Sequence, residues 1–333
     1  MYAKTFWRLL VLKLIIFASP VLAQQTSPVT VVDTMEKNFG VHLGQRRNHT
    51  KGVCADGVFI ATREAAGLSR SPIFTGKATP VIARFSIAGG RPDIPDTARN
   101  PRGMALRFAL PDGGYHMTAM LHTPIFHVAT PAAFLENLRA ATPDPATGKP
   151  DPETQKAFAV NHPEAKAQGA FLSTNNPPAS YASTPYYSLH AFRFVNAANE
   201  GRYVRWHFQP QDGTSFIADG ALAGTPPNFL EAKLAERMTK GPIKWDMFVT
   251  LAESGDTLID PTVAWPTERK QVQIGTLELT KSSPSLGGNC EKINFDPMIM
   301  SDGVEASDDP VLRFRSAAYG ISFGRRLSDP VRK

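Results

Sequence analysis

Apolar and polar positions alternate along many short stretches of the chain, which is the pattern of strands that bury one face. Turn-forming residues separate these stretches: residues 111–114 (Pro-Asp-Gly-Gly) form a turn, and residues 196–201 supply a hairpin between two strands. Strands joined in this way favour antiparallel pairing. The predicted strands are residues 58–61, 80–86, 104–108, 124–128, 189–195, 203–208, 244–251 and 271–279.

Helical patterns interrupt the strands. Thr130 followed by Pro131 is typical of a helix start, with threonine as the N-cap and proline in the first turn. An amphipathic helix is predicted at 228–239, and helical pieces are expected between the first two strands and within 162–183. Residues 24–40 show little pattern, and residues 142–154, rich in Pro, Asp and Thr, predict a surface loop.

These elements predict an α+β fold, an antiparallel β-barrel with peripheral helices, in preference to a parallel α/β sheet. No glycine-rich phosphate loop follows any predicted strand. With 333 residues, of which 42% are hydrophobic, the chain can bury one large core or two modest ones. The 28 prolines and 25 glycines argue against an all-helical bundle.

The formal net charge of +6 does not indicate a nucleic-acid partner. Basic residues are scattered, apart from short pairs such as Arg46-Arg47 and Arg325-Arg326. Nucleic-acid binding would require a basic stripe or helix with interleaved aromatic residues, which the sequence lacks.

The N-terminus has the features of a secretory signal. Lys4, Arg8 and Lys13 flank and interrupt an apolar stretch that ends in small residues before a cleavage point after Ala23. The apolar run is shorter than the roughly 20 residues of a spanning helix. We therefore expect a signal peptide at 1–23 and a single domain at 24–333, with no membrane segment in the mature form and a periplasmic location. An uncleaved anchor is the alternative.

Both cysteines, Cys54 and Cys290, lie in the predicted mature part. In an oxidising compartment they would form a long-range disulfide. Two buried free thiols are an equally good reading of the sequence.

The candidate chemistry begins with Arg315 and Tyr319. Their spacing of four places both side chains on one face of a helix. A guanidinium there would lower the pKa of the tyrosine, and a phenolate is one of the few protein ligands of haem iron. Taken alone, this spacing usually marks a surface pair.

Further sequence elements, in a fixed order along the chain, indicate that the Arg315–Tyr319 pair is part of a functional site. Together they resemble the haem catalases from about Arg46 to Arg326, and in particular the small catalase-related peroxidases. The elements are 45–52 (Gln-Arg-Arg-Asn-His-Thr-Lys-Gly), 83–86 (Ala-Arg-Phe-Ser), 100–103 (Asn-Pro-Arg-Gly), 123–126 (Thr-Pro-Ile-Phe), 294–297 (Asn-Phe-Asp-Pro) and 303–310 (Gly-Val-Glu-Ala-Ser-Asp-Asp-Pro).

The resemblance implies a role for each matching residue. His49 corresponds to the distal histidine that takes a proton from the peroxide and returns it to the leaving oxygen, with Ser86 hydrogen-bonded to it and Arg46 as its partner. Five histidines, His42, His116, His127, His162 and His207, match no family role and are expected to be structural or exposed. The residues implied to hold haem b are Arg46, Arg84 and Arg326 at the propionates, Phe126 and Phe134 along its plane, Tyr319 at the iron, and Arg315, His190 and Asp309 in the network around Tyr319.

Two departures from the family concern function. Catalases carry a distal asparagine shortly before the Thr-Pro-Ile-Phe element, whereas residues 117–123 contain none, and the sequence leaves open whether Met120 or His122 points into the pocket. The chain also ends seven residues after Arg326, without the C-terminal helical domain of large catalases. These departures imply an open haem and a monomer or homodimer.

The resemblance therefore implies a peroxidase that reduces hydrogen peroxide or organic peroxides with a small organic electron donor. The alternatives are dismutation of hydrogen peroxide, a periplasmic haem-binding or carrier protein, and rearrangement of fatty-acid hydroperoxides. A carrier would not need the distal acid–base group that His49 and Arg46 supply. A nicotinamide dinucleotide site has no clear counterpart in this sequence.

Overall fold

The strands pair into a closed antiparallel barrel. The structure is a computed structural model that describes residues 26–329, so the predicted signal peptide at 1–23 lies outside the described residues. The strands of this part of the chain are β1 (Gly52–Ala61), β2 (Thr79–Ile87), β3 (Arg102–Ala109), β4 (Tyr115–Leu121), β5 (Tyr186–Tyr187), β6 (Phe192–Val195), β7 (Gly201–Pro210), β8 (Ile243–Leu251), β9 (Gln271–Pro284) and β10 (Val304–Ala306).

Eight strands form the barrel in the order β8-β9-β1-β2-β3-β4-β5-β7, and pairing of β7 with β8 closes it. Strands β6 and β10 extend the sheet beyond β7. Closure leaves the barrel strands paired on both sides, which removes open edges. The predicted antiparallel barrel with peripheral helices is confirmed.

The helices lie around the barrel. The first and last helices pack against each other, and both contact the third. Among the described residues, no helix is both long and apolar enough to cross a membrane. The helices are α1 (Pro28–Phe39), α2 (Arg63–Leu68), α3 (Pro131–Ala140), α4 (Pro152–Asn161), α5 (Ala165–Thr174), α6 (Leu230–Met238) and α7 (Pro310–Ser328).

Aromatic rings fill the barrel interior. Phe59 meets Phe108 edge to face with ring centroids 5.5 Å apart, and Phe85 packs against Trp245 with a centroid distance of 5.7 Å. All four side chains are almost fully buried. Truncating one such ring to alanine typically costs about 3–5 kcal/mol.

The alternation of strand β2 also builds the outer face. Phe85 points into the core, so its neighbours Arg84 and Ser86 point away from it. Both are nevertheless buried, because α7 and the segment before β1 cover this side of the barrel. The functional site lies in the space between the barrel wall and this cover.

Three local predictions were wrong. Residues 124–128 form a loop, in which the Phe126 amide donates to the Pro261 carbonyl at 2.8 Å instead of joining the sheet. Helix α1 occupies the supposedly patternless lead-in, with Ser27 as its N-cap and Pro28 in its first turn. Strand β6 begins three residues later than predicted, because Leu189 has a φ of 67°, which no strand accommodates.

Other helix and strand boundaries differ from the predicted ones without changing the predicted fold. The predicted loop at 142–154 ends where Asp151 caps α4, and β9 continues five residues past the predicted Leu279. Cys54 and Cys290 are joined by a disulfide, which decides between the two readings of the sequence. This bond fastens the loop around Cys290 to strand β1, beside the site.

His116 gives the fold a testable acid sensitivity. It lies on β4, where Ser301 donates its backbone N–H to Nδ1 at 3.1 Å, and burial lowers the pKa of His116 to about 4. An unfolded histidine has a pKa of about 6.5, so between these values the unfolded chain binds a proton that the folded chain excludes. Stability from this residue therefore falls as the pH falls.

Between pH 6.5 and 4, the free energy of unfolding of the His116→Asn variant is expected to depend less steeply on pH, by about 1.4 kcal/mol per pH unit. Urea unfolding at several pH values measures it. His162→Asn is the control, because carboxylate partners raise the pKa of His162, and its removal should not weaken the acid sensitivity. An unchanged slope in His116→Asn would contradict the assignment.

Candidate functional site

A cavity of 520 Å³ lies between the outer face of the barrel and helix α7. Its walls come from the segment before β1, strands β2–β4, the loop that carries Phe126, and helices α1, α3, α4, α5 and α7. The structure brings nearly all the predicted site residues to this cavity. Its lining includes His49, Arg46, Arg84, Ser86, Phe126, Phe134, His190, Arg315, Tyr319 and Arg326.

His49 is held in an unusual backbone conformation. Its φ is 54°, in the left-handed region that few non-glycine residues adopt. The ring nitrogen Nδ1 lies 2.9 Å from the Ser86 hydroxyl. A Cβ at Gly103 would come within 3.2 Å of the His49 ring and 2.8 Å of the Ser86 oxygen, so this position must be glycine for the pair to form.

The electrostatic surroundings keep His49 neutral. Burial lowers its pKa to about 3, and the positive charges of Arg84 and Arg315 act in the same direction. A neutral imidazole can accept a proton from a substrate at neutral pH. The predicted acid–base residue is therefore in the protonation state that this chemistry needs.

Asn48 is a site residue to which the sequence assigned no role. Its side-chain Oδ1 accepts hydrogen bonds from the His49 amide at 2.9 Å and the Gly89 amide at 2.8 Å. Asn48 also lines the cavity. Its side chain thus fixes the strained turn that presents His49, and this contact could not be read from the sequence.

Helix α7 carries the opposite wall. Asp309 caps it by accepting hydrogen bonds from the Val311 and Leu312 amides at 2.8 and 3.2 Å. One and a half turns later, Arg315 donates to the Tyr319 hydroxyl at 2.7 Å. The predicted four-residue spacing on a helix face is confirmed.

His190 and Asp309 form the predicted pair behind this wall. His190 Nδ1 lies 2.6 Å from an Asp309 carboxylate oxygen, and both side chains are almost fully buried. Within residues 26–329, however, neither side chain hydrogen-bonds Arg315 directly, and Arg315 reaches the Ala119 carbonyl at 3.5 Å instead. Asp309 therefore acts on Arg315 by holding the start of its helix.

Three arginines crowd one end of the cavity. Arg46 donates to the carbonyls of Cys290 and Ile293, both at 2.9 Å, and Arg84 donates to the Thr50 carbonyl at 2.9 Å. Burial together with the charges of Arg84 and Arg326 lowers the pKa of Arg46 to about 7. Glu291 acts on Arg46 and Arg326 with the opposite charge, so this end of the cavity combines three arginines with one nearby carboxylate.

The aromatic residues form a compact group in the cavity wall. Phe126 and Phe134 are stacked with ring centroids 6.0 Å apart, and His127 packs against Phe126 at 4.4 Å. The loop at 124–128 places Phe126 here because it leaves the sheet. His127, expected to be structural or exposed, lines the cavity as well.

The chain matches the family model described as catalase over residues 19–331. It belongs to the catalase family. Among its relatives, this family member is 54% identical to a catalase-related peroxidase of Synechococcus elongatus, with 91% of this chain and 90% of that one aligned. A catalase-related peroxidase of Mycolicibacterium paratuberculosis is 35% identical, with 89% and 93% aligned.

Larger catalases share the fold over part of their length. Catalase A from Saccharomyces cerevisiae superposes with a TM-score of 0.79 at 26% identity, covering 86% of this chain and 62% of that structure. The catalase of Schizosaccharomyces pombe is 29% identical and is covered over 62% of its length.

In this family member, the wall formed by the end of β4 is apolar. Met120 and Leu121 line the cavity. His122 is turned elsewhere: its Nδ1 accepts the Arg102 amide at 3.0 Å, and its ring packs edge-on against Phe171. Of the two residues that border the cavity, Leu121 lies opposite Gly103 on the same face as Ser86, whereas Met120 lies opposite Met104 with its side chain in the core. The question that the sequence left open between Met120 and His122 is therefore decided against both, because Leu121 points into the cavity. No polar side chain of residues 117–123 replaces the family's asparagine there.

Proposed function

We propose that this chain is a haem-dependent peroxidase, which reduces hydrogen peroxide or organic hydroperoxides with a small organic electron donor. The observation that carries the proposal is the pairing, in one cavity, of a neutral His49 with an arginine-bound Tyr319. The two catalase-related peroxidases among its relatives support it.

The cavity fits haem b in charge as well as in shape. Arg326 is buried, and its Nη1 has no hydrogen-bond partner in the described part of the chain. Two carboxylates would balance the crowded charges of Arg46, Arg84 and Arg326, as propionates do. Phe126 and Phe134 offer an apolar, ring-lined wall to a flat cofactor.

Tyr319 would hold the iron. Its oxygen accepts a hydrogen bond from Arg315 at 2.7 Å, which fixes its position in the cavity. Bound haem would supply the redox chemistry, and Tyr319 would be the residue that binds its iron. Asp309 and His190 position the helix that carries both residues.

His49 handles the proton. Its imidazole accepts the proton of the hydroperoxide and returns it to the oxygen that leaves, so that alcohol or water departs in place of an oxyanion. Ser86 fixes the ring through its hydroxyl, and Asn48 fixes the backbone. Burial, assisted by the positive charges of Arg84 and Arg315, lowers the pKa of His49 and holds the imidazole neutral between turnovers.

The apolar wall at Leu121 favours a peroxidase over dismutation. Dismutation requires a second hydrogen peroxide molecule to be oriented in the cavity, which takes hydrogen-bond donors. An external organic donor needs only to deliver electrons. Haem addition, followed by hydrogen peroxide with and without a phenolic donor, tests this: oxygen release without donor would favour dismutation.

The same experiment separates the remaining alternatives. A haem carrier would bind haem without accelerating consumption of hydrogen peroxide. Conversion of a fatty-acid hydroperoxide into a rearranged product, without donor oxidation, would indicate rearrangement. Loss of donor-dependent turnover with all peroxides would overturn the proposal.

We also propose a periplasmic location and a monomer or homodimer. The Cys54–Cys290 disulfide supports an oxidising compartment. Fractionation of cells tests the location, and light scattering of the purified protein measures its assembly.

Asn48→Ala is expected to slow the reaction with hydrogen peroxide about tenfold. The substitution removes the hydrogen bonds from the His49 and Gly89 amides, and the one to His49, which orients the acid–base group, accounts for about 1.4 kcal/mol, which corresponds to that factor. Stopped-flow absorption measures the rate at equal haem content. Asn48→Asp keeps an acceptor oxygen and should retain most of the rate. An Asn48→Ala protein that reacts at the native rate would show that the His49 backbone keeps its conformation without the Asn48 side chain.

A further inference from the structure

A row of three aromatic rings crosses the outer face of the barrel. Tyr187 on β5 pairs with His207 on β7, which pairs with Phe248 on β8. The ring centroids are 5.6 Å apart for the first pair and 5.4 Å for the second, and both pairs are stacked. We call these three residues the aromatic row.

One end of the aromatic row adjoins the functional site. Tyr187 lies directly opposite Leu121 on β4, and Leu121 lines the cavity. Directly opposed side chains share one face of a sheet, with Cβ atoms about 4.5–5.5 Å apart. A single residue therefore separates the Tyr187 side chain from the cavity.

The aromatic row is also accessible from the surface. Tyr187, His207 and Phe248 are each partly exposed, whereas the residues next to them along their strands are buried. Burial lowers the pKa of His207, so its ring is uncharged at neutral pH. A neutral stacked ring does not oppose the loss of an electron from Tyr187.

Tyrosine is one of the few side chains that a peroxidase can oxidise by one electron. Phenylalanine lacks the phenol and resists this oxidation. We propose that Tyr187 is a surface oxidation site at which phenolic donors too bulky for the cavity deliver their electrons. The inference rests on the proposed peroxidase function and names a second place where the donor acts.

The electron balance is complete. One hydroperoxide takes up two electrons and two protons and yields one alcohol or water and one water. Tyr187 gives one electron toward the peroxide-oxidised cofactor and its phenolic proton to solvent, and the resulting tyrosyl radical takes a hydrogen atom from the donor phenol. Two such cycles consume two donor phenols and release two phenoxyl radicals per hydroperoxide.

The test compares two donors in the haem-loaded protein, free phenol and phenol coupled to a dextran polymer. Tyr187→Phe keeps the ring and its packing, and is expected to lower turnover of the polymer-bound phenol at least about tenfold while changing turnover of free phenol less than about twofold. Tyr187→Trp restores an oxidisable ring and should recover the polymer-bound reaction.

Tyr115→Phe is the matched control. Tyr115 lies on the same strand as Leu121 but six residues away, roughly 20 Å along β4, and is 42% exposed. This variant should behave as the native protein does with both donors.

A spectroscopic measurement accompanies the kinetics. Electron paramagnetic resonance of samples frozen after hydrogen peroxide addition should show a tyrosyl radical in the native and Tyr115→Phe proteins and not in Tyr187→Phe. Equal turnover of polymer-bound phenol by Tyr187→Phe and native protein would overturn the inference. So would a native protein that oxidises free phenol only, whereas loss of both reactions in the native protein would overturn the peroxidase function itself.

Discussion

The His49→Ala protein is expected to bind haem as the native chain does but to react with hydrogen peroxide about 10³-fold more slowly, within the range of 10²–10⁴ for a positioned acid–base group. The substitution removes the group that takes the proton from one peroxide oxygen and returns it to the other. It leaves Tyr319 and the three arginines of the cavity in place. Stopped-flow absorption after mixing with hydrogen peroxide measures the rate.

Ser86→Ala is the graded control for this prediction. It removes the hydroxyl that lies 2.9 Å from His49 Nδ1 but keeps the imidazole, so a loss of only about tenfold is expected. A His49→Ala rate within a few fold of the native rate would show that another group transfers the proton. His127 also lines the cavity and would then be the next residue to replace.

Replacing Tyr319 with phenylalanine is expected to weaken haem binding by at least about 100-fold, more than the loss of an outer partner usually costs a metal site. The variant keeps the ring and removes the oxygen that would bind iron. It also removes the hydroxyl to which Arg315 donates a hydrogen bond at 2.7 Å. Titration of the purified chain with haem, followed by absorption, measures the affinity.

The control for this prediction is Tyr115→Phe, which removes a phenol far from the cavity. Tyr115 packs against Arg107, with the guanidinium carbon 4.5 Å from its ring centroid, and its loss should leave haem binding unchanged. A Tyr319→Phe protein that binds haem with an unaltered spectrum would exclude Tyr319 as the iron ligand.

Much of the fold followed from local patterns. Core-facing and outward-facing side chains alternate along strand β2 around Phe85. The strand pairs with β1 and β3 in the predicted antiparallel sense. The helix that begins after Thr130 was recognisable because an N-cap and a following proline are local signals. Helix α1 carries the same kind of signal in Ser27 and Pro28, which the prediction overlooked.

Other features depend on contacts between distant segments. Residues 124–128 have the composition of a strand, but the Phe126 amide is bonded to the Pro261 carbonyl, a partner 135 positions away (261 − 126) that no local pattern reveals. The left-handed φ of His49 and of Leu189 is equally invisible in sequence, because both residue types usually avoid it.

The amino-acid sequence by itself determined the family, the barrel, the Arg315–Tyr319 pair and most of the residues that meet in the cavity. It could do so because residue identity, order and helical or strand period are local properties. Tertiary structure alone decided that Leu121, and neither Met120 nor His122, faces the cavity, that Asn48 holds His49, and that Tyr187 lies opposite Leu121. Those outcomes depend on strand register and on which face of the barrel a side chain meets, and both are fixed only when distant strands pair.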